Sequence, residues 1–373
     1  MNPKNGVPAF AGAMSRRDFS RLLGQAGLGL VSLNLVTGRA HAADNDLMVI
    51  DWPAYHVPEI LGAYVEKHGA LPPNTPMSSN EDALQKILSG AYPADTAHPD
   101  TYDIPRWRKA GVLRPIDETR LPNWANVFDA IKNVNHVYGD GKLWIIPAVF
   151  GTTTVLYRTD LVDPEDLADP SWSLLWNEKY KGKVAMRGTG PTGMLVAGLM
   201  NGVTDVYNMT EDQISAAAET LRKQRDLNRF YWNEITSMEQ AMASGEIVAS
   251  VGWASSAVAM KANGVPVAML HPKEGEFTWL DGIVWANTGK GPEDKVYDLM
   301  NAWLEPAAGK YIIETQGYGH TNAKAYDLVA PGRLEELGLN DPIGVLGRGH
   351  FGTLQEDARA KMARLLEDIV AGF

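Results

Sequence analysis

The chain has 373 residues, 45% of them hydrophobic and 21% charged, which is typical of a soluble protein large enough for two domains. Its formal net charge of -11 argues against nucleic acid or an anionic membrane surface as a partner. There is no cysteine, which excludes disulfides, thiolate metal sites, cysteine nucleophiles and lipid-modified cysteine anchors.

Residues 1–42 have the pattern of an export signal. A basic arginine pair precedes an apolar stretch from about Leu22 to Val36, and Ala40-His41-Ala42 is a small-residue cleavage site. The apolar stretch is too short and too glycine-rich to span a membrane. Ser15-Arg-Arg-Asp-Phe19 resembles the twin-arginine export signal, although a general secretory signal with paired arginines is the alternative. The sequence therefore predicts a mature protein in the periplasm without a membrane anchor.

The rest of the chain alternates short strands with helices. This alternation predicts α/β units around largely parallel sheets. In chain order, the segments are strand Leu47–Trp52, helix Pro58–Lys67, a helix with Ser79 as its N-cap, helix Ile104–Ala110, strands Val149–Tyr157 and Val184–Met186, helices Glu211–Asp226 and Met238–Gly245, strand Ile247–Trp253, and helices Lys295–Leu304 and Asp357–Val370.

A glycine-rich turn follows the strand that ends at Met186. Gly188-Thr-Gly-Pro-Thr-Gly193 matches G-x-G-x-x-G, but Pro191 and the mid-chain position argue against a dinucleotide fold. A turn that opens a helix presents free N–H groups and the positive end of a helix dipole. With Arg187 beside it, the turn predicts a carboxylate-binding site; the alternative is a tight turn with a solvated arginine.

Trp279 and Asp281 lie two residues apart in an apolar run, Thr278 to Trp285, that predicts a strand. Residues i and i+2 of a strand point to the same face, so an indole and a carboxylate should lie side by side. Both groups attract an organic cation. The alternative is a half-buried edge strand with a solvated Asp281.

Catalytic and cofactor signatures are not found in the sequence. The eight histidines do not form i, i+3 or i, i+4 pairs, so helical metal-ligand pairs are absent, and no G-x-S-x-G motif occurs. We therefore expect neither enzymatic activity, nor a cofactor, nor a bound metal.

Several segments, taken in order, resemble one known family. They are Asp51-Trp-Pro-Ala-Tyr55, Ser79-Asn-Glu81, Pro99-Asp-Thr-Tyr102, Gly151-Thr-Thr-Thr-Val-Leu-Tyr157, Ser171-Trp-Ser-Leu-Leu-Trp176, Tyr180-Lys-Gly-Lys183, Trp253, Thr278-Trp-Leu-Asp281 and Gly317-Tyr318. Together they resemble the spermidine/putrescine-binding proteins, which are periplasmic solute-binding components of ABC importers. The similarity covers nearly all of the chain after residue 42.

The resemblance implies a two-lobed α/β periplasmic binding protein fold of type II, with a ligand cleft between lobes joined by hinge strands. Crossings are expected near Phe150–Thr154, Val284–Ala286 and Tyr318–Lys324. Lobe 1 would comprise residues 43–150 and about 285–322, and lobe 2 residues 151–284 and about 323–373. Closure of the lobes would signal to the permease subunits of the transporter, and the protein itself is expected to be a monomer.

The resemblance also implies a set of cleft residues with Asp281 as the counter-ion of the ligand. The aromatic members of the set are Trp52, Tyr55, Tyr102, Trp253, Trp279 and Tyr318.

One departure from the family concerns the turn after Val184–Arg187. Polyamine-binding members carry two carboxylates there, whereas this chain has Arg187-Gly-Thr-Gly-Pro-Thr192. A polyamine needs an acid at each end, and a guanidinium facing a buried ammonium is unfavourable.

The absence of this acid pair changes the class of ligand that is expected. Aromatic faces suffice for a quaternary ammonium or sulfonium through cation–π contacts, and a carboxylate at the other end would meet Arg187. The sequence therefore predicts an onium zwitterion such as a betaine or dimethylsulfoniopropionate. The alternatives are a polyamine (putrescine or spermidine) or a related amine or guanidinium and, from another class, a secreted two-lobed enzyme.

Overall fold

Two long antiparallel strands run through the centre of the molecule. The computed structural model describes residues 46–373, and the predicted export signal lies outside them. Strand β7 (Ile146–Arg158) pairs with strand β12 (Phe277–Ala286), and nearly every residue of both is buried. Their continuous apolar and threonine-rich sequences are typical of strands covered on both faces.

One end of this pair belongs to the first lobe. The sheet there runs β2–β1–β3–β12, with β1 parallel to β2 and β3 and with β12 antiparallel to β3. The elements are β1 (Val49–Asp51), α1 (Gly62–His68), β2 (Asn74–Pro76), α2 (Asn80–Leu88), β3 (Thr96–Ala97), α3 (Ile104–Lys109), β4 (Leu113–Arg114), α4 (Asp129–Lys132), β5 (Tyr138–Gly139) and β6 (Lys142–Leu143).

The other end of the pair belongs to the second lobe. Its sheet continues β7–β10–β8–β9, with β8 parallel to β9 and β10, and with β10 antiparallel to β7. The elements are β8 (Val184–Arg187), α5 (Thr192–Met200), α6 (Glu211–Arg225), β9 (Asn228–Trp232), α7 (Ile235–Ala243), β10 (Ala249–Trp253), α8 (Ala254–Ala262) and β11 (Val267–Met269).

After β12 the chain returns to the first lobe and then ends on the second. These elements are α9 (Glu293–Trp303), α10 (Pro306–Gln316), β13 (Gly319–His320), α11 (Pro331–Leu337), α12 (Pro342–Gly347) and α13 (Glu356–Ala371). Short 3-10 turns occur at Thr101–Asp103, Glu118–Arg120, Pro122–Asn126, Pro164–Leu167, Trp172–Trp176, Glu178–Tyr180, Val206–Asn208 and Ala323–Leu328. Within residues 46–373, no helix combines the length and apolarity needed to cross a membrane.

Separate hydrophobic cores define the two lobes. On β7, Phe150 packs in the first core and Val155 in the second, so packing favours a crossing of this strand between residues 150 and 155. On β12, Phe277 packs in the second core and Leu280 in the first, which favours a crossing at 278–279 over Val284–Ala286.

Packing also favours a different lobe boundary after β13 from the one expected. Ala325, Val329 and Val345 contribute to the first core, whereas Leu354 and the inner face of α13 contribute to the second. Packing therefore favours a third crossing between residues 345 and 354 over one near Tyr318–Lys324. We propose lobe boundaries at these positions instead of the ones suggested by the sequence.

Two glycines let β7 and β12 approach closely. Gly151 lies opposite Trp279, and a Cβ on Gly151 would lie 2.6 Å from Cζ2 of the indole. The register shifts at Asp281/Gly282, where a Cβ on Gly282 would lie 2.1 Å from the carbonyl oxygen of Ile146. Because β-bulges redirect side chains, this irregularity sets the orientation of the strand directly after Asp281.

Candidate functional site

A buried histidine lies between two aspartates of lobe 1. Nδ1 of His98 lies 2.9 Å from Oδ1 of Asp51, and Nε2 lies 3.1 Å from Oδ1 of Asp281. Burial opposes the charged imidazole, but the two carboxylates outweigh it and raise the pKa of His98 to about 10. The two carboxylates therefore hold His98 in its charged form at neutral pH, while burial raises the pKa of Asp281. We call Asp51, His98 and Asp281 the acid–histidine chain.

Strand order explains why these residues meet. Asp51 is the last residue of β1 and His98 directly follows β3, its parallel neighbour. Asp281 lies on β12, which pairs with β3 in antiparallel fashion. The ring of Trp303 stands edge-on to His98 with ring centres 4.7 Å apart, so the imidazole is fixed from a third side.

A further carboxylate, Asp100, lies beside this chain. It forms an isolated β-bridge with Asp281, and its Oδ2 accepts hydrogen bonds from Asn80 at 2.6 Å and from the Tyr102 hydroxyl at 2.8 Å. Burial and the charge of Asp281 raise the pKa of Asp100 to about 7, although the two hydrogen bonds oppose the rise. Above that pH, Asp100 adds a negative charge to the wall formed with the acid–histidine chain.

Aromatic rings cover the same wall. The rings of Trp279 and Tyr318 meet edge to face with centres 4.9 Å apart, and Tyr318 interacts electrostatically with Asp281. The ring of Tyr55 lies 5.1 Å from that of His98. The Trp279 indole N–H is buried without a hydrogen-bond partner among residues 46–373. An indole, two phenols and a carboxylate thus meet at the crossing of the two strands.

The facing wall of lobe 2 holds an arginine on an indole. The guanidinium carbon of Arg187 lies 5.2 Å from the ring centre of Trp253, whose indole N–H donates to Thr153 at 2.9 Å. Nε of Arg187 is buried without a partner in the described part of the chain. Burial lowers the pKa of Arg187, while Tyr102 and Asp100 act in the opposite direction. Arg187 therefore interacts electrostatically with Asp100 of lobe 1. We call the surface formed by Asp51, His98, Asp100 and Asp281 the acidic wall.

The sequence-predicted residues fall into three groups. Tyr55, Trp279, Asp281 and Tyr318 come together at the strand crossing; Arg187 and Trp253 meet on lobe 2; and Trp52 and Tyr102 lie beside the acidic wall. The indole N–H of Trp52 donates to the backbone carbonyl of His98 at 3.0 Å.

Sequence reasoning gave no role to Asp51, His98 or Asp100. All three lie in or next to segments that resemble the family, but the histidines were considered only as pairs of metal ligands. The strand before His98 comprises only Thr96 and Ala97, which is too short to give an apolar signal in the sequence.

Ion pairs join the two lobes at the edge of the acidic wall. Arg359 of α13, in lobe 2, lies 2.9 Å from the buried carboxylate of Asp103 and 3.2 Å from Glu81, both in lobe 1. Its guanidinium also lies 5.9 Å from the ring centre of Tyr102, which hydrogen-bonds Asp100. These contacts, which we call the interlobe latch, connect the two lobes.

Comparisons with known proteins identify the family. The model of the bacterial extracellular solute-binding protein family matches residues 74–336, which is more than half of the chain. The chain belongs to this family. The other comparisons describe how closely its members are related to the chain.

Two relatives bear the same name. The spermidine/putrescine-binding periplasmic protein of Salmonella typhimurium is 27% identical over 364 residues, covering 95% of this chain and 99% of the relative. That of Escherichia coli is 29% identical over 323 residues, covering 84% and 88%.

A solved structure supports the fold. A putative spermidine/putrescine ABC transporter protein from Listeria monocytogenes superposes with a TM-score of 0.76 at 21% identity, covering 87% of this chain and 98% of that one. The expected two-lobed periplasmic binding protein fold is thereby confirmed.

The ionisation of Asp100 provides a test of the acidic wall. In the solute-binding protein without ligand, its carboxyl should titrate near pH 7 in 13C NMR spectra recorded from pH 4 to 9. Tyr102→Phe should raise this pKa because a hydrogen bond to the carboxylate is lost, and Asp281→Asn should lower it because a neighbouring negative charge is lost. Titration near pH 4, or shifts of the same sign in both variants, would contradict the geometry.

The interlobe latch provides a second test. Arg359→Met should speed ligand release about tenfold, the effect of about 1.4 kcal/mol, because the closed state loses its ion pairs. Stopped-flow tryptophan fluorescence measures the release rate. Arg364→Met, on an exposed position of the same helix, is the matched control. Equal release rates in the two variants would show that the latch does not hold the lobes together.

Proposed function

We propose that this chain is the periplasmic solute-binding component of an ABC importer and that it captures a small organic cation. The observation that carries the proposal is the wall of lobe 1, where Asp51, Asp100 and Asp281 outnumber the single imidazolium of His98. Buried charges are expensive unless they are compensated, so this wall favours a cationic solute. Trp279 and Tyr318 add ring faces suited to the same charge.

The comparisons favour an amine of the polyamine class. Both relatives described above are named for spermidine and putrescine, and the solved neighbour carries the same designation. An ammonium donates hydrogen bonds, and Asp281 and Asp100 offer charged acceptors next to each other. The main candidate ligand is therefore a polyamine or a related primary amine.

One observation favours a second candidate, the onium zwitterion. Arg187 is buried on the face of Trp253, and its Nε has no partner among the described residues. A carboxylate at the far end of a betaine or dimethylsulfoniopropionate would pair with this guanidinium, while the onium group would lie against the acidic wall. In a polyamine complex, the same guanidinium would repel the second ammonium.

The partner of this protein would be the permease of the transporter, which would bind the closed state of the lobes. The interlobe latch joining Arg359 to Asp103 and Glu81 supports such a state, because its ion pairs connect the two lobes. Export of the precursor by the twin-arginine route and a monomeric state remain predictions from the sequence.

A ligand panel separates the two candidates. Calorimetry with putrescine, spermidine, glycine betaine, dimethylsulfoniopropionate and choline should give tight binding of the polyamines and little heat with the onium compounds. Arg187→Met should leave polyamine affinity unchanged or improve it, because a positive charge is removed. It should weaken glycine betaine, but not choline, if a carboxylate binds there.

The possible outcomes are distinct. Tight betaine binding with silent polyamines would establish the second candidate in place of the first. Failure of every cation to bind would contradict the proposed function. Recovery of chemically altered ligand after incubation would favour the secreted-enzyme alternative, whereas a binding protein returns the ligand unchanged and is stabilised by it.

A further inference from the structure

Glu239 is a buried acid of lobe 2. It lies on α7 (Ile235–Ala243) in lobe 2, and 8% of its surface is exposed. Met238 and Met242 on the same helix belong to a hydrophobic cluster of this lobe. A carboxylate in such a place is rare unless it is paired.

Glu239 has no cationic partner among residues 46–373. Burial raises its pKa, and only the neighbouring hydroxyl of Ser256 opposes the rise. Ser256 is itself fully buried in the first turn of α8, and its hydroxyl lacks a well-aligned hydrogen-bond partner in the described chain. No backbone amide contributes to the pKa of Glu239, so the carboxylate does not act as a cap for α8.

Tyr318 connects this acid to the rest of the cleft. Its hydroxyl lies 2.7 Å from Oγ of Ser255, next to Ser256, and its ring packs on Trp279. The Tyr318 hydroxyl interacts electrostatically with both Asp281 of lobe 1 and Glu239 of lobe 2. Carboxylates from both lobes therefore act electrostatically on one phenol.

From this arrangement we propose that Glu239 is the second acidic anchor of the cleft and binds a cationic group at the far end of the ligand from Asp281. The inference rests on the proposed capture of an amine and specifies its class as a solute with two separated positive charges. It also accounts for the turn after β8, where Arg187-Gly-Thr-Gly-Pro-Thr192 lacks the acid pair that the family resemblance implies. Glu239 supplies an acid to lobe 2 from a neighbouring helix instead.

The test compares a dication with a monocation of the same length. Calorimetry on the full mature chain should show that Glu239→Gln weakens putrescine at least tenfold and changes n-butylamine less than twofold. Glu239→Asp should recover part of the putrescine affinity, because it restores the charge. Glu234→Gln, at the exposed start of the same helix, is the matched control and should bind like the wild type.

A structural role for Glu239 would give a different pattern. Loss of a structural carboxylate would lower the thermal midpoint of the ligand-free protein and weaken both amines alike. The proposal instead predicts an unchanged or higher midpoint for Glu239→Gln, because a buried unpaired charge is removed.

Failure of this inference can be told from failure of the proposed function. If the wild type binds putrescine and Glu239→Gln binds it equally well, Glu239 is not an anchor, but amine capture stands. If the wild type prefers ligands with a single positive charge, the two-anchor proposal is overturned. If it binds no amine at all, both proposals fail.

Discussion

The cleft depends on the contact of one buried imidazole with two carboxylates. His98 lies between Asp51 and Asp281, which hold it in the charged form although it has no access to water. The pairing holds Asp51 at the end of β1 and Asp281 within β12 beside the same imidazolium, while burial raises the pKa of Asp281. One imidazolium thus faces two carboxyl groups, and Asp100 adds a negative charge to the same wall above about pH 7.

The hinge strands place the aromatic rings over that charge. Gly151 leaves room on β7 for the Trp279 indole, and the irregularity at Asp281/Gly282 lies where β12 enters the first lobe. The rings proposed to contact a ligand thus lie where the two strands cross between the lobes. Arg359, which forms an ion pair between the lobes, lies next to the ring of Tyr102, and Tyr102 hydrogen-bonds Asp100. The proposed ligand-binding residues and the interlobe ion pairs are therefore adjacent.

Local features of the sequence predicted local features of the structure. The period-2 rule placed Trp279 and Asp281 on one face of a strand, and both lie next to Tyr318. Ser79 caps α2 by accepting the amide hydrogen of Asp82, as its position before the helix indicated. The glycine-rich turn after Arg187 opens helix α5, as expected.

Contacts between distant segments could not be foreseen in this way. The meeting of Asp51, His98 and Asp281 requires β3 to lie between β1 and β12, an order that no local pattern encodes. The sheet is also more antiparallel than the alternation of strands and helices suggested, because β7 pairs only with antiparallel neighbours. Glu239 was missed because a single acid on an amphipathic helix is ordinarily solvated, and only packing against α8 buries it.

The most direct test of the cation-binding wall is the affinity of Asp281→Asn for whichever cation the wild type binds. Removing this charge leaves the imidazolium of His98 facing the ligand, so calorimetry at pH 8 should show at least about thirtyfold weaker binding, corresponding to roughly 2 kcal/mol or more. Affinity within twofold of the wild type would mean that the ligand is not held by the acidic wall, and the account would be wrong.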